Sequence, residues 1–236
     1  MKTIKLLALL AMGAALTFAA CGSNRKVGGQ GSGGAQAAEW VDLGLPSGLL
    51  WAKCNLGATK PEEYGDYYAW GETSTKEVYT WETYKYCTAV DEEVWVKTLS
   101  KYNTDSEYGT PDHLTTLQPS DDVATQKLGN GARMPTETEW RELIANTTSE
   151  WTTENGVYGR KLTASNGKSL FFPAAGYRLG SEFHYAGEFG SYCSSSLYAD
   201  IPYYAWHFFF NSDYHLVDGR YRQCGLSVRA VCASQN

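Results

Sequence analysis

The sequence predicts a mixed α+β domain that follows an N-terminal leader and a flexible tether. One helix near residues 135–146 carries strong capping signals, several strand-like runs are bounded by Gly, Pro and Asn, and the sequence shows no internal repeat. One helix among scattered strands is typical of the α+β class. About 195 residues follow the tether, a length that suits one domain and buries roughly 70% of its unfolded surface.

Residues 1–20 have the pattern of a secretory signal peptide. A short basic start precedes the apolar run Leu6–Ala20, which is too short to span a bilayer. Small residues before Cys21 resemble the lipobox of bacterial lipoproteins, and this resemblance implies cleavage before Cys21 and its lipidation. Phe18 departs from the usual aliphatic residue, so plain secretory cleavage near Ala20 is the alternative.

Residues 21–38 form the predicted tether, because the segment is rich in Gly and Ser and has no periodicity. The domain is predicted to occupy residues 39–236. Its composition argues against a nucleic-acid partner, since the net charge is −6 and Lys and Arg are scattered. Besides Cys21 the chain has five cysteines and no Cys-x-x-Cys motif, so at least one thiol stays unpaired and zinc binding is not expected.

The domain begins with a predicted pair of strands. Residues 40–52 are interpreted as a strand, a turn at Pro46-Ser47-Gly48 and a second strand. Residues 55–73 are rich in Gly, Tyr and Trp. Residues 79–122 have a weak pattern interrupted by two prolines, and we expect long ordered loops there.

The helix begins at a sequence-level capping box. Thr136 is a favourable N-cap, and Glu139 stands three residues later. Acidic residues in the first turn suit the helix dipole. Trp140, Leu143 and Ile144 share one face at i, i+3 and i+4 spacing, which predicts that this face packs on the core.

Three further strands are predicted after the helix. Runs at residues 157–163 and 169–172 flank Asn166-Gly167, a dipeptide that favours a tight hairpin turn. A buried-strand pattern at Leu226–Val231 predicts the final strand.

The segment Tyr192–Cys224 is the candidate binding surface. It is rich in Tyr, Phe, His, Asp and Arg and has no Lys, Glu or Met. If Trp206, Phe208 and Phe210 face the core, His207 and Phe209 face outward; the opposite register stays open. Exposed Tyr and Arg dominate binding hot spots, and Tyr gives large contact area at small entropic cost. The candidate ligand-binding residues are Tyr198, Asp200, Tyr203, Tyr204, His207, Phe209, Asp213, Tyr214, His215, Asp218, Arg220, Tyr221 and Arg222.

Two motifs resemble the formylglycine-generating-enzyme superfamily, which has a C-type-lectin-like fold. Residues 133–140 are similar to its Arg-Leu-Pro-Thr-Glu-x-Glu-Trp signature, and residues 225–229 to its C-terminal Gly-Phe-x-x-Arg. Residues 41–72 also resemble lipoproteins of the Fibrobacter major paralogous domain type. The resemblance implies paired N- and C-terminal strands, one or two helices and long ordered loops. It also brings Cys54 near Cys232, so a disulfide between them is a possible pairing.

A second resemblance concerns residues 192–224. The Tyr-x-Ser-Ser-Ser start and the Gly-Leu-Ser-Val-Arg end look like the borders of the variable region in target proteins of diversity-generating retroelements. Those systems randomise adenines of AAC or AAT codons, which keep a final pyrimidine and so never encode Lys, Glu, Gln, Met or Trp. The segment obeys this rule apart from Trp206 and Gln223, and Cys193 replaces the usual Trp.

Catalytic and metal-binding patterns are weak in this sequence. The four histidines form no HxxxH or HExxH motif, and neither Asp121-Asp122 nor residues 91–93 form an alternating calcium loop. We therefore expect no cofactor, no metal and no enzyme activity. The expected function is a lipid-anchored receptor or adhesin of the cell envelope, on the outer membrane and facing the surface or the periplasm, that binds a protein or glycan. The alternatives are a structural or adhesive envelope lipoprotein with a fixed surface and, less favoured, a cysteine-dependent oxidase.

Overall fold

The computed structural model of the chain describes residues 38–91 and 96–234. The predicted signal peptide, the lipidation site Cys21 and the tether up to residue 37 lie outside the described residues. Strands hold 40% of the structure and helices 9%, so the domain is mostly β within the predicted α+β class. In the described part of the chain, no helix is long and apolar enough to cross a membrane.

In residues 38–91 and 96–234, the secondary structure consists of short strands, two α-helices and one 3₁₀ turn. The strands are β1 (Trp40–Asp42), β2 (Leu49–Ala52), β3 (Cys87–Asp91), β4 (Val96–Leu99), β5 (Thr147–Glu154), β6 (Val157–Ala164), β7 (Ser169–Pro173), β8 (Tyr177–Leu179), β9 (Glu182–His184), β10 (Gly190–Leu197), β11 (Tyr204–Phe210), β12 (His215–Tyr221) and β13 (Val231–Ala233). The helices are α1 (Val123–Leu128) and α2 (Glu137–Ala145), and the 3₁₀ turn is Ser106–Tyr108.

The strands form small antiparallel sheets. Three sheets have three strands each, in the orders β1-β2-β13, β5-β6-β7 and β10-β11-β12, and two hairpins, β3-β4 and β8-β9, complete the set. The expected pairing of the terminal strands is present, because β13 pairs with β2. Buried Arg229 fastens the same region, since its guanidinium donates to Asn55 Oδ1 at 2.7 and 2.9 Å and to the carbonyls of Lys53 and Phe171.

The predicted final strand at Leu226–Val231 is wrong in its bounds, because the strand is Val231–Ala233. The preceding residues bond to different segments in turn: Gly225 bridges Arg178, Leu226 bridges Tyr68 and Ser227 bridges Tyr192. A strand needs one continuous partner, so this buried segment is extended without belonging to a sheet. The apolar pattern of this segment correctly predicted that it is buried, but it wrongly predicted that the segment pairs as a strand.

The possible disulfide between Cys54 and Cys232 is not formed, and the structure has both as thiols. The register of β2 and β13 gives the reason. Cys232 lies opposite Leu50, four residues away from Cys54 along the chain. Cys54 lies two residues beyond the end of β2, so the pairing of β2 with β13 does not bring the two thiols opposite each other.

Helix α2 confirms the capping prediction. The Thr136 hydroxyl accepts from the Glu139 N–H, and the Glu139 carboxylate accepts from the Thr136 N–H at 2.8 Å. Arg133 clamps the same carboxylate through two bonds of 2.5 and 2.7 Å. Trp140 and Leu143 are fully buried and Ile144 is half-buried, as the spacing predicted.

The Asn166-Gly167 hairpin is also confirmed, with Leu162 opposite Leu170. Several elements were not predicted: the hairpin β3–β4, which replaces part of the long loop, the helix α1, and the strands β5, β8, β9, β10 and β12. Strand β5 has one apolar side chain, Trp151, so alternation gave no signal. Helix α1 has only six residues, and it is capped by Asp122, whose carboxylate accepts from the Thr125 N–H.

The sheet β10-β11-β12 separates two apolar clusters among the described residues. Tyr192, Phe208 and Phe210 point to one cluster, which includes Trp140 and Trp51. Cys193, Leu197 and Ala205 point to the other, which contains most of the buried tyrosines. Because alternate residues of one sheet enter different cores, this sheet is rigid on both faces and can hold side chains at its ends in place.

Candidate functional site

Four tyrosines meet at one end of the sheet β10-β11-β12. We call Tyr198, Tyr203, Tyr204 and Tyr221 the tyrosine cluster. Ring centroids are 4.9 Å apart for Tyr203 and Tyr204, 4.7 Å for Tyr204 and Tyr221, and 6.1 Å for Tyr203 and Tyr221. Tyr221 is 40% exposed, and the other three are half-buried. The cluster is therefore a continuous aromatic surface that solvent reaches.

Strand pairing explains why these rings meet. Tyr204 opens β11 and lies directly opposite Tyr221, the last residue of β12. Tyr198 follows β10 and lies above Gly219, where an added Cβ would come within 2.8 Å of its ring. Gly219 thus leaves the space that lets Tyr198 stack on Trp206 at 4.4 Å.

Residues outside the segment 192–224 extend the cluster. Tyr108 lies edge-on to Tyr203 at 5.2 Å, and Trp81 lies edge-on to Tyr221 at 6.2 Å. The Lys97 ammonium lies 5.6 Å from the ring centroids of both Trp81 and Tyr203. Sequence reasoning missed these three residues, because they come from a region of weak pattern and only the fold brings them to the strand ends.

The phenol of Tyr204 stays neutral. Burial, followed by the hydrogen bond and charge interaction with Tyr221, raises the pKa of Tyr204 well above its usual value. The cluster therefore offers ring faces together with hydroxyls that both donate and accept. Such an arrangement suits recognition by contact and hydrogen bonding.

Another group of predicted residues lies at the opposite end of the β11–β12 hairpin, in the turn that follows β11. The turn after β11 is held by Asn211 Oδ1, which accepts from the N–H groups of Asp213 and Tyr214. Tyr214 is 51% exposed and packs on Phe209 at 5.7 Å. The seven-residue strand β11 separates this turn from the tyrosine cluster by about 20 Å. The predicted residues therefore do not form one patch.

The remaining surface candidates lie beside or between these two groups. Asp200 is exposed in the turn between β10 and β11, and Asp218 is exposed on β12. The Arg220 guanidinium lies 3.8 Å from the ring centroid of Tyr177. His215 is half-buried, and burial followed by the nearby charge of Arg160 lowers its pKa.

His207 was expected to face outward, and that prediction is wrong. It is 5% exposed and its Nδ1 lies 2.8 Å from the Ser191 hydroxyl. Burial, with a smaller contribution from Arg220, lowers its pKa to about 3. His207 and the next residue, Phe208, point to opposite faces of the sheet, and both are buried because each face is covered. His207 is a neutral core residue.

Arg222 was also expected to contact ligand, and it is 1% exposed. Its guanidinium donates to the Tyr84 hydroxyl and to the carbonyls of Lys101, Tyr102 and Pro202 at 2.8–3.0 Å. It also stacks on Trp70 at 4.9 Å. Arg222 thus fastens the loop regions to β12 and is removed from the candidate site.

The acidic residues weighed as calcium ligands have structural partners. Asp121 binds the ammonium groups of Lys85 and Lys101 and accepts from the Tyr102 hydroxyl at 2.7 Å. Asp122 caps α1 and accepts from the Met134 N–H. Within residues 38–91 and 96–234, no three His, Cys, Asp or Glu side chains form a group that could hold a metal ion.

Comparison with known protein families, with curated proteins and with solved structures finds no match to this chain.

Proposed function

We propose that this protein is a ligand-binding receptor or adhesin of the bacterial cell envelope, held on the outer membrane by lipid on Cys21. The observation that carries the proposal is the tyrosine cluster, an exposed set of touching rings on a sheet that two cores hold rigid. Rigid aromatic side chains with polar ends are favourable anchors for a partner, because little entropy is lost on binding. The ligand is a protein or a glycan.

A C-type-lectin-like fold is part of the proposal. Three features support it: the pairing of terminal strands β2 and β13, the helix α2 that begins at the motif of residues 133–140, and the long connections that carry surface residues. The motif has a structural explanation, since Arg133 fixes the carboxylate of Glu139 that closes the capping box.

We further propose that residues 192–224 are a diversified region. The division of this segment supports the idea. Phe208, Phe210 and Arg222 are buried and would serve as scaffold, whereas Tyr221 and Tyr214 are exposed and free to vary. Gln223, which breaks the codon rule, is 5% exposed, as expected for a position held constant. A reverse-transcriptase gene beside this gene, with a template repeat that differs only at adenines, is the expected finding; its absence favours a lipoprotein with a fixed surface.

The binding proposal is tested by replacing the centre of the tyrosine cluster. The full chain, displayed on cells, is screened against arrays of glycans and of envelope and host surface proteins. The variant carries Tyr203→Ala, Tyr204→Ala and Tyr221→Ala. Loss of hot-spot side chains worth over about 1 kcal/mol each should weaken the best interaction at least about tenfold.

The matched control is Phe183→Ser, which removes an aromatic side chain that is 59% exposed elsewhere on the surface. This control should bind like the wild type. Circular dichroism and thermal unfolding verify that the triple variant is folded. Equal binding by the triple variant and the wild type would refute the assignment of the site.

A further inference from the structure

A second aromatic surface lies at the end of the β11–β12 hairpin away from the tyrosine cluster, and it was not part of the candidate site. It is an open groove of about 600 Å³ between the β5–β6 hairpin and the loop 185–189. We call it the hairpin groove. Its lining residues are Trp151, Tyr158, Tyr185, Gly187, Glu188, Phe189, Asn211 and Ser212. The volume lies within the roughly 300–1,000 Å³ typical of small-molecule sites.

The walls of the hairpin groove are two pairs of stacked rings. Trp151 and Tyr158 are nearly parallel, with centroids 5.9 Å apart and planes at 10°. Tyr185 and Phe189 stack at 4.9 Å and 29° on the other side. Both pairs are anchored, because Trp151 contacts Phe210 and Phe189 contacts Phe209 at 5.1 Å. These contacts hold the four rings in fixed positions along the groove.

Folding alone does not favour two of these rings. Tyr158 is 52% exposed and Tyr185 is 53% exposed, so each leaves a large apolar face in water. Tyr185 also has a φ of 57°, a left-handed conformation that is unfavourable for an aromatic residue. A strained residue with an exposed ring is the combination expected where a side chain is positioned for a ligand.

The polar groups in the hairpin groove favour a ligand with hydroxyls. Glu188 is the charged side chain among the described residues that line it, and a carboxylate only accepts hydrogen bonds. The Oδ1 atom of Asn211 already serves the turn, so its Nδ2 group is the part that can donate to a ligand. A ligand must therefore both donate and accept.

This requirement distinguishes between ligand classes that fit aromatic grooves. A proline-rich peptide offers carbonyl acceptors but few N–H groups to donate to Glu188, since each proline lacks one. An anionic polymer would place charge beside that carboxylate, on a chain of net charge −6. A neutral sugar has hydroxyls that donate and accept, and its flat ring face can lie against an aromatic face.

We propose that the hairpin groove binds a neutral, hydroxyl-rich glycan, with sugar rings seated between the Trp151–Tyr158 and Tyr185–Phe189 walls. Asn211 and Ser212 belong to the segment 192–224, whereas the aromatic walls do not. The walls would hold sugar rings in general and the turn would select among them. The site is separate from the tyrosine cluster, and either proposal can hold without the other.

The test uses the full chain on an array of neutral oligosaccharides, followed by affinity electrophoresis in gels that contain the best-bound glycan as a soluble polysaccharide. The variant is Tyr158→Ala with Tyr185→Asn; Asn tolerates the left-handed conformation, so the loop keeps its shape. We expect the wild type to bind at least one neutral glycan and the variant to bind it at least tenfold more weakly. Phe183→Ser should bind like the wild type.

Three results would overturn the proposal: no binding to any neutral glycan, binding that survives in the double variant, or binding of poly-L-proline in place of glycans. Loss of glycan binding in the Tyr203→Ala, Tyr204→Ala, Tyr221→Ala variant alone would assign the sugar to the tyrosine cluster. That outcome would refute the hairpin groove and leave the proposed function in place. If the triple variant keeps all its ligands while the hairpin-groove variant loses the glycan, the tyrosine cluster is refuted as a binding site and the hairpin groove stands.

Discussion

At the scale of single residues, burial separates the side chains that hold the aromatic segment from those that can meet a partner. Arg222 and Tyr221 are neighbours in sequence, yet Arg222 is 1% exposed and Tyr221 is 40% exposed. The Arg222 guanidinium donates hydrogen bonds to the carbonyl oxygens of three loop residues, and no sheet partner satisfies those oxygens. Loops that lack regular pairing are thus fixed by one buried guanidinium, whose planar fork suits several acceptors.

Replacing Arg222 should therefore destabilise the fold. Arg222→Ala leaves three carbonyls and the Tyr84 hydroxyl without their donor, and we expect the free energy of unfolding to fall by about 3 kcal/mol or more. Urea unfolding measures this change. The control Arg141→Ala, at a largely exposed salt bridge with Glu137, should cost under about 1 kcal/mol. Equal losses in the two variants would contradict the structural role of Arg222.

His207 predicts a dependence of stability on pH. Its pKa is about 3 in the folded state because burial disfavours the charged form and the nearby Arg220 repels it, whereas an unfolded histidine titrates near 6.5. Between these values the unfolded chain binds one proton more than the folded chain. The contribution of His207 to the free energy of unfolding is therefore fully present above about pH 6.5. It falls by roughly 1.4 kcal/mol for each pH unit below that value, until about pH 3.

The measurement is urea unfolding of the wild type and His207→Gln from pH 7 to pH 4. The difference between the two curves isolates His207, because the half-buried His215 titrates in both proteins. The wild type should lose stability more steeply as the pH falls. Parallel curves would show that His207 is accessible to protons in the folded state.

At the scale of elements, local signals predicted the helix correctly, but they missed a strand that long-range pairing holds in the sheet. Helix α2 was predicted from residues three or four apart, and its capping box, its packed face and its end at Asn146 are present. Strand β12 was not predicted from the sequence, because Asp218 and Gly219 interrupt its pattern, but seven consecutive pairings to β11 hold it in the sheet. A glycine inside a strand is tolerated here because Tyr198 occupies the space above it.

The cap of α2 gives a prediction at this scale. Thr136→Ala removes the hydroxyl that accepts from the Glu139 N–H, and we expect the free energy of unfolding to fall by about 1 kcal/mol. Thermal or urea unfolding provides the measurement. Thr75→Ala, at an exposed position outside the helix, should change stability by less than about 0.5 kcal/mol. A Thr136 variant as stable as the wild type would mean that Arg133 and Glu139 hold the helix start without it.

At the scale of the whole molecule, the sheet β10-β11-β12 joins the two apolar clusters and displays different surfaces at its two ends. The tyrosine cluster lies at one end and the hairpin groove lies at the other. The candidate residues suggested by the sequence are divided between the tyrosine cluster and the turn after β11, and none of them lines the hairpin groove. Under the proposed function, the two surfaces would contact two parts of one partner, or a partner and a surface glycan, at the same time.

The predicted membrane anchor also belongs to this scale. Cys21→Ser should abolish incorporation of labelled fatty acid and move the protein from the membrane fraction to the soluble fraction, because each buried CH₂ contributes about 0.8 kcal/mol to membrane binding. Cys54→Ser, which removes a partly exposed thiol inside the domain, is the control and should stay in the membrane fraction. Persistent acylation of the Cys21 variant would refute the lipobox interpretation and favour plain secretion.

The sequence by itself determined the capped helix, the Asn-Gly hairpin and the presence of an aromatic segment, because each depends on residues a few positions apart. Only the tertiary structure decided which aromatic and basic side chains are exposed. His207 and Arg222 are buried because sheets and loops distant in sequence close over them. Trp81, Lys97 and Tyr108 join the site for the same reason. Exposure is a property of what packs above a residue, and a local pattern does not contain it.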